Sequence, residues 1–374
     1  MPFNSLGLSH ELLKTLADQN FTDPTPVQEA AIPAILNKKD VLGIAKTGSG
    51  KTASYVLPLL MNLQKTAGPK NRNANVLVLV PTRELAEQVK EVCKTFSKDL
   101  TQPIKTLAVY GGVSINPQMM GLQGVNILIA TPGRLLELLD FNAVHLSGIE
   151  TLVLDEADKL LNPGFRNELE KILAQLPAMR QNILFSATLG TDLQQIHKSL
   201  LKDPVVIEIA AEEPSLDLIN QLAYIVSPEK KGPFLRSLIK EHEMKQVLVF
   251  ASSVQQVDAI VNKLRKNNIN AKAIHSKKSQ GARTDALVHF KSGKLQVLVA
   301  TDLMARGIDI ASLPFVINYE LPRSPKDYIH RIGRTGRAEA TGTAISLVSH
   351  AELHHFEVIQ KKMGRQVQLI DSEN

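Results

Sequence analysis

Ala45-Lys46-Thr47-Gly48-Ser49-Gly50-Lys51-Thr52 follows the apolar run Val41-Leu42-Gly43-Ile44 and precedes a helical stretch, Ala53 to Leu63. A short strand, a glycine-rich turn and a helix opening on Gly-Lys-Thr are the parts of a phosphate-binding loop. Glycines leave no side chain between the backbone N–H groups and an anion, and the helix N-terminus adds partial positive charge. On this reading Thr47, Gly48, Ser49 and Gly50 line the turn, Lys51 reaches the outer phosphates, and Thr52 offers its hydroxyl to Mg²⁺. The general pattern opens on Gly, where this chain has Ala45. The plain alternative is a serine- and glycine-rich turn with a chance lysine, and it weakens as further motifs accumulate.

The rest of the chain bounds what surrounds this loop. Its 374 residues suffice for two domains or three, and 44% hydrophobic content supports large cores rather than disorder. No apolar run reaches membrane-spanning length, and Met1-Pro2-Phe3-Asn4 has no basic region before an apolar stretch. The expectation is a soluble, cytoplasmic protein with no membrane partner and no secretion signal. The single cysteine, Cys93, excludes intrachain disulfides and a cysteine metal site, and fits a reducing compartment. It lies on the helical pattern Glu84 to Phe96 and reads as a small core residue. A net charge of +6 and a pI of about 9.2 tilt weakly towards a polyanionic partner. With no tryptophan and 4% aromatics, recognition of a nucleic-acid backbone is favoured over base stacking.

Helical spacing of Leu12, Leu13 and Leu16 marks Ser9 to Gln19, and Phe21-Thr22-Asp23-Pro24 turns into a second helix. Thr25 can N-cap that helix, with Pro26 at its first position and Gln28 at its third. Short β-rich runs then alternate with helical segments: Val41–Ala45, Val76–Val80, Thr106–Tyr110, Ile127–Ala130, Leu152–Leu154, Ile183–Phe185 and Val205–Ile209. They are continuously apolar, as parallel strands covered on both faces should be. A linker is expected near Ala210 to Leu218. A second series follows: Leu222–Val226, Val247–Phe250, Ala271–Ile274, Val297–Ala300, Val316–Tyr319 and Ala344–Val348. The fold class is α/β, with an open parallel sheet between helices in each of two domains, residues 1–209 and 219–374. Ile370 to Asn374 reads as a short tail that is not basic.

The strand Thr151 to Leu154 ends in Asp155-Glu156-Ala157-Asp158. In open α/β sheets the reactive edge lies at the carboxyl ends of the strands. There Asp155 could hold a metal ion, and Glu156 could orient and deprotonate a water. A solvated acidic helix start is the alternative. Paired with the phosphate loop, the catalytic reading dominates.

The acidic box and the loop together resemble the DEAD-box family of ATP-dependent RNA helicases, whose motifs stand here in the family's order over nearly the whole chain. They are Phe21 with Pro24-Thr25-Pro26-Val27-Gln28, the loop, Pro81-Thr82-Arg83-Glu84-Leu85, Gly111-Gly112, Thr131-Pro132-Gly133-Arg134, the acidic box and Ser186-Ala187-Thr188. Beyond the linker come Gln280 with Arg283, Ala300-Thr301-Asp302, Ala305-Arg306-Gly307-Ile308-Asp309 and His330-Arg331-Ile332-Gly333-Arg334-Thr335-Gly336-Arg337. The run His275 to Arg283, with Lys291-Ser292-Gly293, is most similar to the bacterial RhlE-like branch.

The resemblance implies two RecA-like domains with ATP, Mg²⁺ and single-stranded RNA bound across their cleft. Gln28 would read the adenine edge and Phe21 would stack on the ring, although Gln28 also completes a capping box with Thr25. Thr82, Arg83, Gly112, Thr131 and Arg134 would hold the RNA sugar-phosphate chain, as would Arg283 and Thr301. Thr82 and Thr131 are also placed as helix N-caps. Ser186 and Thr188 would hydrogen-bond Asp158 and couple the nucleotide to the RNA. Gly307 and Asp309 would meet the ribose, and Arg306 and His330 would couple the domains. Arg334 and Arg337 would supply charge to the triphosphate, unless their segment is simply a solvated basic stretch. Lys46 stands where the family usually has Gln, Pro163 is also unusual, and the family's frequent basic C-terminal extension does not appear. The implied activity is local, non-processive opening of short RNA duplexes or remodelling of ribonucleoprotein, in a ribosomal or RNA-decay setting. A nucleotide-gated RNA clamp with incidental hydrolysis is the alternative.

Overall fold

The computed structural model describes residues 2–45, 48–66, 68–69, 71–161, 164–188, 199–209, 216–302, 313–336 and 341–372. It divides into two compact units, Met1–Ala211 and Glu212–Asn374. In the first, β1 (Val41–Ile44), β2 (Val76–Leu79), β3 (Thr106–Val109), β4 (Ile127–Ala130), β5 (Thr151–Leu154), β6 (Gln181–Ser186) and β7 (Val205–Glu208) form one sheet in the order β3-β4-β2-β5-β6-β1-β7. In the second, β8 (Ile219–Ile225), β9 (Val247–Phe250), β10 (Ala271–Ile274), β11 (Val297–Ala300), β12 (Phe315–Asn318), β13 (Gly342–Val348) and β14 (Gln368–Asp371) take the order β10-β11-β9-β12-β13-β8-β14. Adding seven to each strand of the first sheet reproduces the second, so both units share one topology. Every pairing is parallel.

The apolar runs form these strands because the interior of each sheet is buried on both faces, while the edge strands β7 and β14 are largely exposed. Along β2, Val76 and Val78 enter one core with the helices Pro26–Leu36 and Lys51–Leu63, while Leu77 and Leu79 enter another on the opposite face. The second unit repeats this, with Val247 and Val249 on one side of β9 and Leu248 and Phe250 on the other. Cys93 is buried in the first core, as its helical spacing predicts, and burial pushes its thiol up to about 12.

Two expectations need correction or restriction. The segment expected to be a tail contributes to β14, whose residues Gln368 to Asp371 pair with Leu222 to Ile225 of β8. Its four residues give no periodic signal, and Asp371 ends it; pairing to β8 makes it a strand. Of the expected linker, residues 210–215 lie outside the described residues, and Leu216–Leu218 forms a single 3₁₀ turn entering β8.

Parallel pairing brings the carboxyl ends of all seven strands of a sheet to one edge. In the first unit β5, β6 and β1 are neighbours, so the acidic box, Ser186 and the phosphate loop leave adjacent strands. The segments holding Thr82, Gly112 and Thr131 leave β2, β3 and β4 on the other half of that edge.

Gly43 is the tightest point of β1. It pairs with Phe185 of β6, and a Cβ there would overlap the Phe185 ring. Phe185 is fully buried and cannot yield. Gly43→Ala should therefore destabilise the first unit by about 1–3 kcal/mol, read as a lowered first transition in calorimetry of the full chain; an unchanged transition would show that the core relaxes.

Candidate active site

The loop after β1 is shaped by backbone that only glycine adopts freely. Gly48 has φ +85° and Gly50, which caps the helix Lys51–Leu63, has φ +92°. A Cβ on Gly50 would lie 2.6 Å from Gln28 Nε2 and 2.8 Å from Thr25 Oγ1. Gln28 is only 2% exposed. Its Oε1 accepts the Thr25 N–H at 2.9 Å and its Nε2 donates to the Gly50 carbonyl at 3.3 Å. The Gln28 arm of the capping box is thus formed, while Thr25 Oγ1 makes no hydrogen bond. The same amide fastens the helix Pro26–Leu36 to the phosphate loop. Phe21 is 42% exposed and meets Phe96 edge-on at 5.8 Å. Lys51 is buried and donates from Nζ to the Ala45 carbonyl at 2.7 Å. Ser49 Oγ is buried without a hydrogen-bond partner. Close backbone approach, left-handed glycines and an unsatisfied hydroxyl fit a phosphate. Thr47 lies outside the described residues.

Asp155 stands at the end of β5 and is 2% exposed. Its Oδ2 accepts the Tyr55 phenol at 2.9 Å and its Oδ1 accepts the Glu156 N–H at 2.9 Å. Burial raises its pKa, against the Lys51 ammonium and these hydrogen bonds, which lower it. Each oxygen carries one protein donor and keeps acceptor capacity, which fits a carboxylate that shares a divalent cation with phosphate oxygens. Glu156 follows at φ +52°, ψ +47°, left-handed for a residue with a Cβ. That conformation costs about 1–2 kcal/mol, and such strain collects at functional sites. Burial is the largest influence on Glu156 and raises its pKa; Lys159, whose Nζ lies 2.8 Å from Oε2, opposes it. Thr188 Oγ1 donates to Asp158 Oδ2 at 3.3 Å. Ser186 departs from expectation: its hydroxyl donates to the Thr188 carbonyl at 2.8 Å and accepts the Thr188 N–H at 3.3 Å, rather than bonding Asp158. At the end of β6 the hydroxyl meets its own following turn first, and only Thr188 reaches across to the acidic box.

On the other half of the edge, Thr82 caps the helix Arg83–Ser97 by accepting the Leu85 N–H at 3.3 Å. Thr131 holds the N-cap position of Pro132–Asp140, but its hydroxyl forms no capping bond. Gly112 has φ +77°, and the Arg83 guanidinium fills the space where a Cβ would stand. Arg134 is 6% exposed; its Nη2 donates to the Val113 carbonyl at 2.9 Å and its Nε to Glu137 Oε2 at 2.8 Å. Sequence reasoning missed Gln118, whose Oε1 accepts the Tyr110 N–H at 2.9 Å and whose Nε2 donates to the Tyr110 and Ser114 carbonyls. It pins both ends of the Gly111-Gly112 turn, and no local pattern announces it.

In the second unit Arg283 is buried on the helix Gln280–Lys291, and Thr301 follows β11, with its N–H on the Ile274 carbonyl at 3.4 Å. Arg331 is 2% exposed. It makes a forked pair with Asp302, Nε to Oδ1 at 2.5 Å and Nη2 to Oδ2 at 2.7 Å. Its Nη1 donates to Asn318 Oδ1 and the Glu320 carbonyl, and the guanidinium lies 5.0 Å from the Phe250 ring centroid. Arg334 is buried as well, while His330 is exposed. Arg331 and Arg334 are therefore not part of a solvated basic surface. Arg331 and Asp302 were visible within their motifs, but only the fold pairs them. Arg306, Gly307, Asp309 and Arg337 lie outside the described residues.

A phosphate loop and paired carboxylates at one parallel-sheet edge, with a second unit of the same RecA-like topology, define a nucleotide-driven motor-type enzyme. Comparison with known proteins makes the class specific. A DEAD/DEAH box helicase model matches residues 25–196 and a helicase conserved C-terminal domain model matches residues 230–339. The chain is 38% identical over 367 residues to ATP-dependent RNA helicase CshA of Listeria monocytogenes, covering 98% of this chain and 69% of that protein. It is 36% identical over 370 residues to DEAD-box ATP-dependent RNA helicase RhpA of Helicobacter pylori, covering 99% and 74%. Among solved structures it is similar to Saccharomyces cerevisiae Dbp5 bound to RNA and ADP BeF3, with 28% identity, a TM-score of 0.83 and coverage of 99% and 95%. The chain belongs to the DEAD-box family of ATP-dependent RNA helicases.

The pairing of buried Arg331 with part-exposed Asp302 yields a stability prediction. Removing Asp302 leaves the buried guanidinium without its countercharge, which costs at most about 3–5 kcal/mol. Asp302→Ala should lower the second unit's melting transition by that order, and Asp302→Ala with Arg331→Met should lose less than Asp302→Ala alone. Equal stability of parent and Asp302→Ala would show that the other Arg331 bonds suffice.

Proposed function

We propose that this chain hydrolyses ATP in response to RNA and uses the cycle to open short RNA duplexes locally or to remodel ribonucleoprotein. The observation that carries it is the single carboxyl edge of the first sheet, which places the phosphate loop and acidic box on one half and the Arg83–Gly112–Arg134 group on the other. Family membership supports the same reading.

In this proposal Lys51 neutralises the outer phosphates, and Asp155 and Thr52 hold Mg²⁺. The ion's contribution would be to neutralise charge developing on the phosphate oxygens. Glu156 orients the attacking water and takes its proton; burial raises its pKa, and Lys159 opposes that. Gln28 accepts and donates to the adenine edge beside Phe21. Arg83, Gly112, Arg134, Thr82, Thr131, Arg283 and Thr301 hold the RNA backbone, while Thr188 relays the state of Asp158. Arg306, His330, Arg334 and Arg337 keep the roles that the resemblance implies, as do Gly307 and Asp309. A cytoplasmic, RNA-decay or ribosomal setting belongs to the proposal too. So does the RhlE-like branch, which rests on His275 to Arg283, whereas the bacterial relatives reported above carry CshA and RhpA names.

Energy sets the scale of the opening. Micromolar binding corresponds to about 8 kcal/mol, and a base-pair step costs roughly 1.4 kcal/mol on the DNA scale. One binding event then disrupts about six pairs, and the remainder must melt thermally. Strand-displacement assays should show duplexes of about ten pairs opening and those beyond about twenty resisting, with little preference for overhang polarity. Efficient opening near forty pairs in a single turnover would overturn local action and indicate translocation. For the catalytic assignment, Glu156→Gln should keep ATP and RNA binding, lose about 10²-fold or more in turnover, and release RNA slowly in ATP. Release at the parental rate would remove Glu156 from the hydrolytic step.

A further inference from the structure

Tyr55 has no role in the reading above, yet it is among the largest fully buried side chains of the molecule. It stands four residues beyond Lys51 on the helix Lys51–Leu63, so both project from one face. A buried phenol needs a hydrogen-bond partner. Tyr55 takes Asp155 Oδ2, at 2.9 Å, although the two residues are a hundred positions apart. The ring packs against Phe185 with centroids 5.8 Å apart, and Phe185 in turn covers Gly43. Packing therefore holds the ring, and the ring holds the hydroxyl. Tyr55 thus bears directly on Asp155, one of the side chains proposed to hold the divalent cation.

We propose that Tyr55 is a positioning residue for that cation, donating its O–H to Asp155 Oδ2 and so holding the carboxylate in one orientation. At Asp155, Tyr55 fixes Oδ2 while the Glu156 N–H fixes Oδ1, so the carboxylate plane cannot rotate. Groups that orient a cation's ligands in this way typically change affinity 10- to 100-fold when removed. The inference rests on Asp155 being a residue that meets the cation.

Tyr55→Phe keeps the ring and deletes only the hydroxyl. Binding of ATP carrying a fluorescent ribose label would be followed in the full chain across a Mg²⁺ series and in EDTA. The expected result is a roughly tenfold or greater rise in the Mg²⁺ concentration needed for half-maximal effect, with unchanged affinity in EDTA. Tyr328→Phe is the matched control: it removes a buried phenol that meets Ser346 in the second unit, 3.1 Å away, and should leave the Mg²⁺ curve in place. An unchanged Mg²⁺ curve for Tyr55→Phe overturns the proposal whatever happens to its melting temperature. Equal weakening with and without Mg²⁺ also overturns it, because the loop would then be damaged generally. Asp155→Asn separates this from failure of the underlying reading. If Asp155→Asn abolishes the Mg²⁺ effect and Tyr55→Phe does not move it, only the positioning role falls. If neither moves it, the assignment of Asp155 to the cation falls as well.

Discussion

A parallel sheet buried on both faces leaves polar chemistry one outlet, the ends of its strands. Side chains along β2 alternate between two apolar cores, so neither face can hold a carboxylate or a loop that binds phosphate. The carboxyl edge can, because each strand there passes into a turn or a helix start. The phosphate loop, the acidic box and the segments holding Thr82, Gly112, Thr131 and Ser186 all leave at that edge, and sheet order decides which of them are neighbours. β6 lies between β5 and β1, so the Ser186-Ala187-Thr188 turn is set between the acidic box and the phosphate loop. The single hydrogen bond from Thr188 to Asp158 follows from that placement.

Burying charge near such an edge is costly unless each group is paired. The site meets that demand group by group. Lys51 is held by the Ala45 carbonyl, Asp155 by Tyr55 and the Glu156 N–H, and Glu156 by Lys159. The second unit does the same with one guanidinium: Arg331 joins Asp302, Asn318 and the Glu320 carbonyl beneath the face of Phe250. The site carries left-handed backbone in the phosphate loop and in the acidic box. Gly50 takes a conformation and a closeness to Gln28 that exclude a Cβ, and Glu156 takes a left-handed conformation despite having one.

Much of this was legible from the residues in order. Largely apolar runs predicted all but one of the described strands, because strands in the middle of each sheet are buried on both faces and the edge strand β7 still carries Val205, Val206 and Ile207. The phosphate loop, the acidic box and the Gln28 capping box are local patterns, and the structure places each at the start of a helix. What escaped was non-local. β14 has no period of its own and becomes a strand only by pairing with β8. Ser186 was expected on Asp158, but its short hydroxyl reaches only its own turn. Arg331 sits in a run that could pass for a solvated basic stretch until the fold closes Asp302 and Asn318 around it.

The division between the two kinds of information is physical. Periodicity, glycine placement and motif order act over a few residues, and by themselves they determined the α/β class, the two strand series and the family. Contacts across the sheet depend on which strands are neighbours, and strand order leaves no mark on local spacing. Hence only the tertiary structure decided that Tyr55 meets Asp155, that Gln118 pins the turn after β3, that Arg83 fills the space beside Gly112, and that Arg331 is an interior residue.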